Sequence, residues 1–60
     1  MIVKDIKEVI FDKVIIYKSK EEGFEDIYKG NTDNIPLDIQ NMTIASVGAA
    51  KKKIIDIRVN

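Results

Sequence analysis

Cysteine, histidine and tryptophan are absent from this chain, and proline occurs once. Without cysteine there is neither a disulfide framework nor a thiol nucleophile, and without histidine as well there is no zinc-finger ligand set. The missing histidine also removes the side chain that most often serves as a general base near neutral pH. No apolar run approaches the ~20 residues that a membrane-spanning helix needs. The first residues, Met1-Ile2-Val3-Lys4-Asp5, lack the basic start and apolar stretch of a secretory leader, so a soluble protein of the cytoplasm is expected. Nor does one sign of charge dominate. Ten Lys and Arg against ten Asp and Glu give a formal net charge of zero, and with it no whole-molecule attraction to nucleic acid or anionic membrane. The 60 residues make one small domain spanning 1–60.

What the chain has is β-branched residues. Twelve Ile and five Val stand against a single Leu, and such side chains suit a pleated sheet better than a helix. Their placement is more telling than their number. Ile2, Val3, Ile6, Val9 and Ile10 follow helical spacing, and Asp5 with Glu8 fits a capping box, which predicts a short helix over about 5–11. Lys13–Lys18 is a β-branched run and predicts a strand; the polar stretch Ser19–Gly23 predicts a turn. Phe24–Lys29 alternates, with Phe24, Asp26 and Tyr28 expected on one face and Glu25, Ile27 and Lys29 on the other. Around Pro36 a connection is expected, with one helical turn begun by that proline and with Ile35, Leu37 and Ile39 turned to the core.

Two more strands are predicted over 42–49 and 54–59. In the first, Ala45, Ser46, Gly48, Ala49 and Ala50 suggest close approach by another backbone. In the last, Ile55, Ile57 and Val59 should face inward and Asp56 and Arg58 outward. The fold class expected is therefore α+β: a short N-terminal helix on a four-stranded, mainly antiparallel sheet made of two hairpins. A sheet with Val14, Ile15 and Ile16 in succession has apolar residues on both faces, and one short helix covers only one. A homodimer formed through the uncovered face is expected.

Candidate chemistry is sparse. The carboxylates Glu21, Glu22, Glu25 and Asp26 fall in a turn and an exposed strand, where no cleft opposes them as acid–base catalysis requires. Asp33, Asn34 and Asp38 do not have the spacing of a calcium loop, and turns around Pro36 account for them. Ser46–Lys53 has small residues followed by lysines but lacks the glycine spacing and the hydroxyl residue of a phosphate-binding loop. No enzyme activity, metal or cofactor is expected. Charge is nonetheless segregated: residues 1–20 sum to +2, 21–41 to −5 and 42–60 to +3. Lys51, Lys52 and Lys53 could contact phosphate or an acidic partner, with Tyr17, Phe24 or Tyr28 available for stacking, but no recognised nucleic-acid motif accompanies them. The mixture of Phe24 and Tyr28 with Glu21, Glu22, Glu25 and Asp26 suits a protein-binding surface of aromatic anchors and an acidic rim.

The segments Ile27-Tyr28-Lys29-Gly30-Asn31, Asn34-Ile35-Pro36, Ser46-Val47-Gly48-Ala49 and Ile55-Asp56-Ile57-Arg58-Val59 resemble small phage and prophage proteins of low-GC Gram-positive bacteria. The chain departs from them after Pro36, where it lacks their run of acidic residues and leucines. The resemblance implies a phage context, in which a small non-catalytic protein binds and inhibits a host protein, including components of anti-phage defence. The competing expectation is an oligomeric accessory protein that binds a small ligand or nucleic acid.

Overall fold

The computed structural model describes residues 1–7, 13–51 and 54–60. Its elements in chain order are a helix α1 (Val3–Lys7), strands β1 (Lys13–Lys20) and β2 (Gly23–Asn31), a 3-10 turn (Thr32–Asn34), a helical turn α2 (Leu37–Gln40), and strands β3 (Ile44–Lys51) and β4 (Ile54–Val59). This is the expected α+β class, with a mixed, mostly antiparallel four-stranded sheet ordered β2-β1-β4-β3. β1 pairs with β2, and β3 with β4, antiparallel. The two pairs join through their inner strands, and β1 and β4 run parallel. The mainly antiparallel sheet is as expected; the two-hairpin reading did not specify the parallel junction between its two antiparallel pairs.

α1 begins two residues earlier than the capping-box reading implied. Asp5 is not the cap. It occupies the third helical position and accepts a hydrogen bond from the Ile2 backbone N–H at 3.0 Å, the reach-back half of a capping box. Val3 and Ile6, three apart, both point into the core. The expected continuation over 8–11, with Val9 and Ile10, lies outside the described residues.

One face of the sheet is covered. Val14 and Ile16 of β1 and Ile57 and Val59 of β4 form the core with Val3, Ile6, Ile35 and Ile39, and Ile55 packs against it from the edge of the cluster. The alternation predicted for β4 is therefore the one observed. α2 follows Pro36, which stands at the cap rather than as the first helical residue. Ile35 and Ile39 are buried as expected, but Leu37 is 71% exposed. Ile35 is extended and precedes the turn; within α2, Leu37 and Ile39 are two residues apart and point to different sides, so burying Ile39 leaves Leu37 outward. Gln40 Nε2 fastens the connection by donating to the Ile35 carbonyl at 2.7 Å.

The β1–β2 turn consists of Glu21 and Glu22, and Gly23 closes it at φ +117°, a conformation that L side chains rarely adopt. Further along β2 the register shifts: Ile16 faces Tyr28, whereas Tyr17 faces Asp26. Ile27 is thus the extra residue of a β-bulge, and a bulge exchanges the faces on which the following side chains lie. Phe24 and Asp26 stay on the open face. Tyr28 turns to the covered one and packs against the core. This corrects the simple alternation, which put Phe24, Asp26 and Tyr28 together and Lys29 opposite them.

Candidate functional site

The open face of the sheet is the side of β1 that carries Lys13, Ile15, Tyr17 and Ser19, the residues between the buried Val14 and Ile16 and beyond them. Pairing registers add Phe24, Asp26 and Lys29 from β2, Ile54, Asp56 and Arg58 from β4, and Ser46 and Gly48 from β3. Among the described residues no helix lies over this face. Its apolar members form a diagonal stripe. Phe24, 64% exposed, meets Tyr17 edge to face with ring centroids 5.3 Å apart and planes at 87°. Ile15 follows Tyr17 on the same side of β1, and Ile54 lies on the neighbouring strand, opposite Lys13.

At its Ile54 end the stripe opens into a groove of about 320 Å³ lined by Lys13, Val14, Ile15, Lys29, Gly30 and Ile54. An apolar floor with two lysines at its rim suits an apolar side chain that has an acidic neighbour. Lys13 and Lys29 form no ion pair among the described residues. On the same face, Asp26 flanks Tyr17 on one side and Arg58 flanks it on the other. The surface is thus an apolar stripe bordered by charges of both signs.

The residues singled out in the sequence are distributed unevenly over this surface. Phe24 and Asp26 belong to it. Glu21 and Glu22 are exposed at the hairpin turn beside its Phe24 end. Glu25 faces away, opposite Lys18, and is engaged by the Lys18 and Lys20 ammonium groups at 3.8 and 3.3 Å. The acidic rim is therefore partly neutralised from within the chain. Tyr28 has a structural post instead: its hydroxyl donates to the Asn31 carbonyl at 2.5 Å, and a Cβ at Gly30 would stand 3.1 Å from that oxygen. Lys51 is the last residue of β3; its side chain, and Lys52 and Lys53, lie outside the described residues.

Tyr17 was named for stacking only, and Ile15 only within a sheet whose uncovered face was expected to form a homodimer; Ile54, Lys13 and Lys29 were not singled out as an interaction surface. Ile15 and Tyr17 alternate with the buried Val14 and Ile16. Lys29 joins them only because of the bulge. Asp33 and Asp38 sit in the 3-10 turn and in α2, and no cluster of three or more acidic side chains among the described residues is placed to hold a metal ion. No helix among those residues is long and apolar enough to cross a membrane.

Fold and surface together define a small α+β domain with one helix-covered sheet face and one left open among the described residues. Neither protein-family models, nor curated proteins, nor solved structures give a match to this chain.

Proposed function

We propose that this protein is a non-catalytic binding protein that modulates a larger protein by direct contact, with the open sheet face as its contact surface. The observation that carries this reading is the stripe Phe24–Tyr17–Ile15–Ile54, apolar and uncovered among the described residues, and bordered by Lys13, Lys29, Arg58, Asp26 and Asp56. Aromatic anchors within a charged rim are the residue types on which binding energy concentrates at protein interfaces. The resemblance to phage and prophage proteins makes a host protein of the bacterial cytoplasm, such as a defence component, the partner to seek. An accessory role in binding nucleic acid or a small ligand is the weaker reading, because the face carries acids among its basic groups.

The test is capture of a partner from host-cell extract by the wild type and by a Tyr17→Ala/Phe24→Ala variant with an unchanged circular dichroism spectrum. One protein retained by the wild type and lost by the variant supports the reading. Equal retention by both moves the binding surface elsewhere, and substrate turnover by the purified protein overturns the class. Reversing Glu21, Glu22 and Asp26 to Lys weakens capture if the acidic rim contributes. Tyr28→Ala acts through stability instead.

A further inference from the structure

The two edges of this sheet are unequal. β2, at one end, presents Glu25, Asp26 and Lys29 and is kinked by the bulge at Ile27. Charges of this kind keep an edge from pairing with other chains. β3, at the other end, also has register shifts, at Ile44/Ser46 and Ala49/Lys51, but reads Ile-Ala-Ser-Val-Gly-Ala-Ala-Lys, with no charged residue from Ile44 to Ala50. The N-terminal segment covers only the start of its outer edge: Val3 N–H donates to the Met42 carbonyl at 3.0 Å, and Ile44 N–H to the Met1 carbonyl at 2.9 Å. Beyond Ile44, no described residue pairs with the outer side of β3. Ala45, Ser46, Val47, Gly48 and Ala49 are all exposed, and Val47 retains 48% of its surface.

We propose that this free edge pairs antiparallel with β3 of a second copy, making a two-fold dimer with one continuous eight-stranded sheet. The ladder runs over Ser46–Gly48, between the register shifts at Ile44/Ser46 and Ala49/Lys51. Centred on Val47, it sets Val47 against Val47 of the partner subunit and Ser46 against Gly48. Each pairing is uncharged, and the two half-exposed valines cover each other.

Charge on the open face selects a second copy over a foreign strand. Asp56 leans from β4 over β3: its Oδ1 lies 2.7 Å from where a Cβ of Gly48 would stand. Arg58 is opposite Ser46. Neither Arg58 nor Asp56 forms an ion pair among the described residues. In the dimer, the partner subunit's Gly48 is one strand spacing, about 4.8 Å, beyond Ser46. The partner subunit's Asp56 then approaches Arg58 across small residues alone, and the two-fold axis makes that opposition twice. The small residues of β3 fit close approach by another backbone. Among the described residues of the monomer no backbone takes that place beyond Ile44; what crowds Gly48 is the Asp56 side chain. Because the β2 edges remain outermost, the assembly closes at two; it engages Arg58 and Asp56 at the border of the contact surface proposed above but leaves the stripe Phe24–Tyr17–Ile15–Ile54 uncovered, so this inference does not rest on that reading.

Sedimentation of the full chain at about 50 µM tests it, since association is a concentration-dependent equilibrium. The wild type should sediment as a dimer, and Val47→Lys, which puts two ammonium groups side by side, as a monomer with an unchanged circular dichroism spectrum. The chain has no native cysteine, so V47C and F24C each introduce a single thiol. Mild oxidation should link V47C into covalent dimers and leave F24C, on the open face, unlinked. In the wild type, hydrogen exchange of the 46–48 amides should slow as concentration rises. A monomeric wild type, a dimeric Val47→Lys, linkage of F24C in preference to V47C, or exchange of 46–48 independent of concentration would each overturn the proposal.

Discussion

Adjacent residues of β1 should respond very differently to the same truncation. Ile16 is 0% exposed and lies between Tyr28 and Ile57. Ile16→Ala removes three carbons, worth about 2.4 kcal/mol at ~0.8 kcal/mol each, and the cavity left behind brings the loss to about 3–5 kcal/mol. A 60-residue chain at ~0.05–0.15 kcal/mol per residue has about 3–9 kcal/mol in total. The substitution therefore removes a third of the stability at least and unfolds the protein at worst. Ile15 faces the other way and is only half-buried. Ile15→Ala should cost about 1 kcal/mol, because much of its surface is already in water and no closed cavity forms. Urea unfolding followed by circular dichroism measures both, with a common m-value as the sign that only stability changed. A larger loss at Ile15 than at Ile16, or equal losses, would refute the assignment of covered and open faces. Ile15→Ala should also weaken partner capture while leaving the fold intact.

Further substitutions address single features of the chain. Gly23→Ala meets no neighbour within 4 Å but must hold φ +117°, so it should lose about 1–2 kcal/mol from backbone strain alone, read as a shift of the urea midpoint at constant m-value. Gly48→Ala crowds the Asp56 carboxylate, 2.7 Å from the new Cβ; a loss of about 1 kcal/mol is expected, and a double-mutant cycle with Asp56→Ala should recover most of it. Glu25→Gln breaks two exposed ion pairs at 3.3 and 3.8 Å and should change stability by under ~1 kcal/mol, with the difference vanishing in 1 M salt. Tyr28→Phe deletes the hydrogen bond to the Asn31 carbonyl and should cost about 1 kcal/mol in thermal or urea unfolding.

Local patterning in the sequence was enough to determine the number of strands and their approximate limits. The predicted runs 13–18, 24–29, 42–49 and 54–59 correspond to Lys13–Lys20, Gly23–Asn31, Ile44–Lys51 and Ile54–Val59. β-branched runs and turn residues act over a few positions, so a linear reading can find them. The inward face of β4 was legible for the same reason, since strand periodicity follows from backbone geometry; in β1 the run Val14-Ile15-Ile16 showed two apolar faces without saying which is covered. Within the candidate site, Phe24 and Asp26 were legible by type and position.

Tertiary pairing decided the rest. The parallel contact of β1 with β4 joins segments some forty residues apart in the chain, and no local pattern encodes the direction in which two distant strands meet. The bulge at Ile27 depends on pairing across the hairpin, and it moved Tyr28 into the covered face while bringing Lys29 beside Ile15. Leu37 is as apolar as its neighbours, yet it stays in solvent because Ile39 occupies the side of the helical turn that meets the core. The placement of the β-branched residues marked out a small β-rich domain. Which of its side chains share a face was settled only when the strands came into register, because a single extra residue in one strand reverses the side on which all those after it lie.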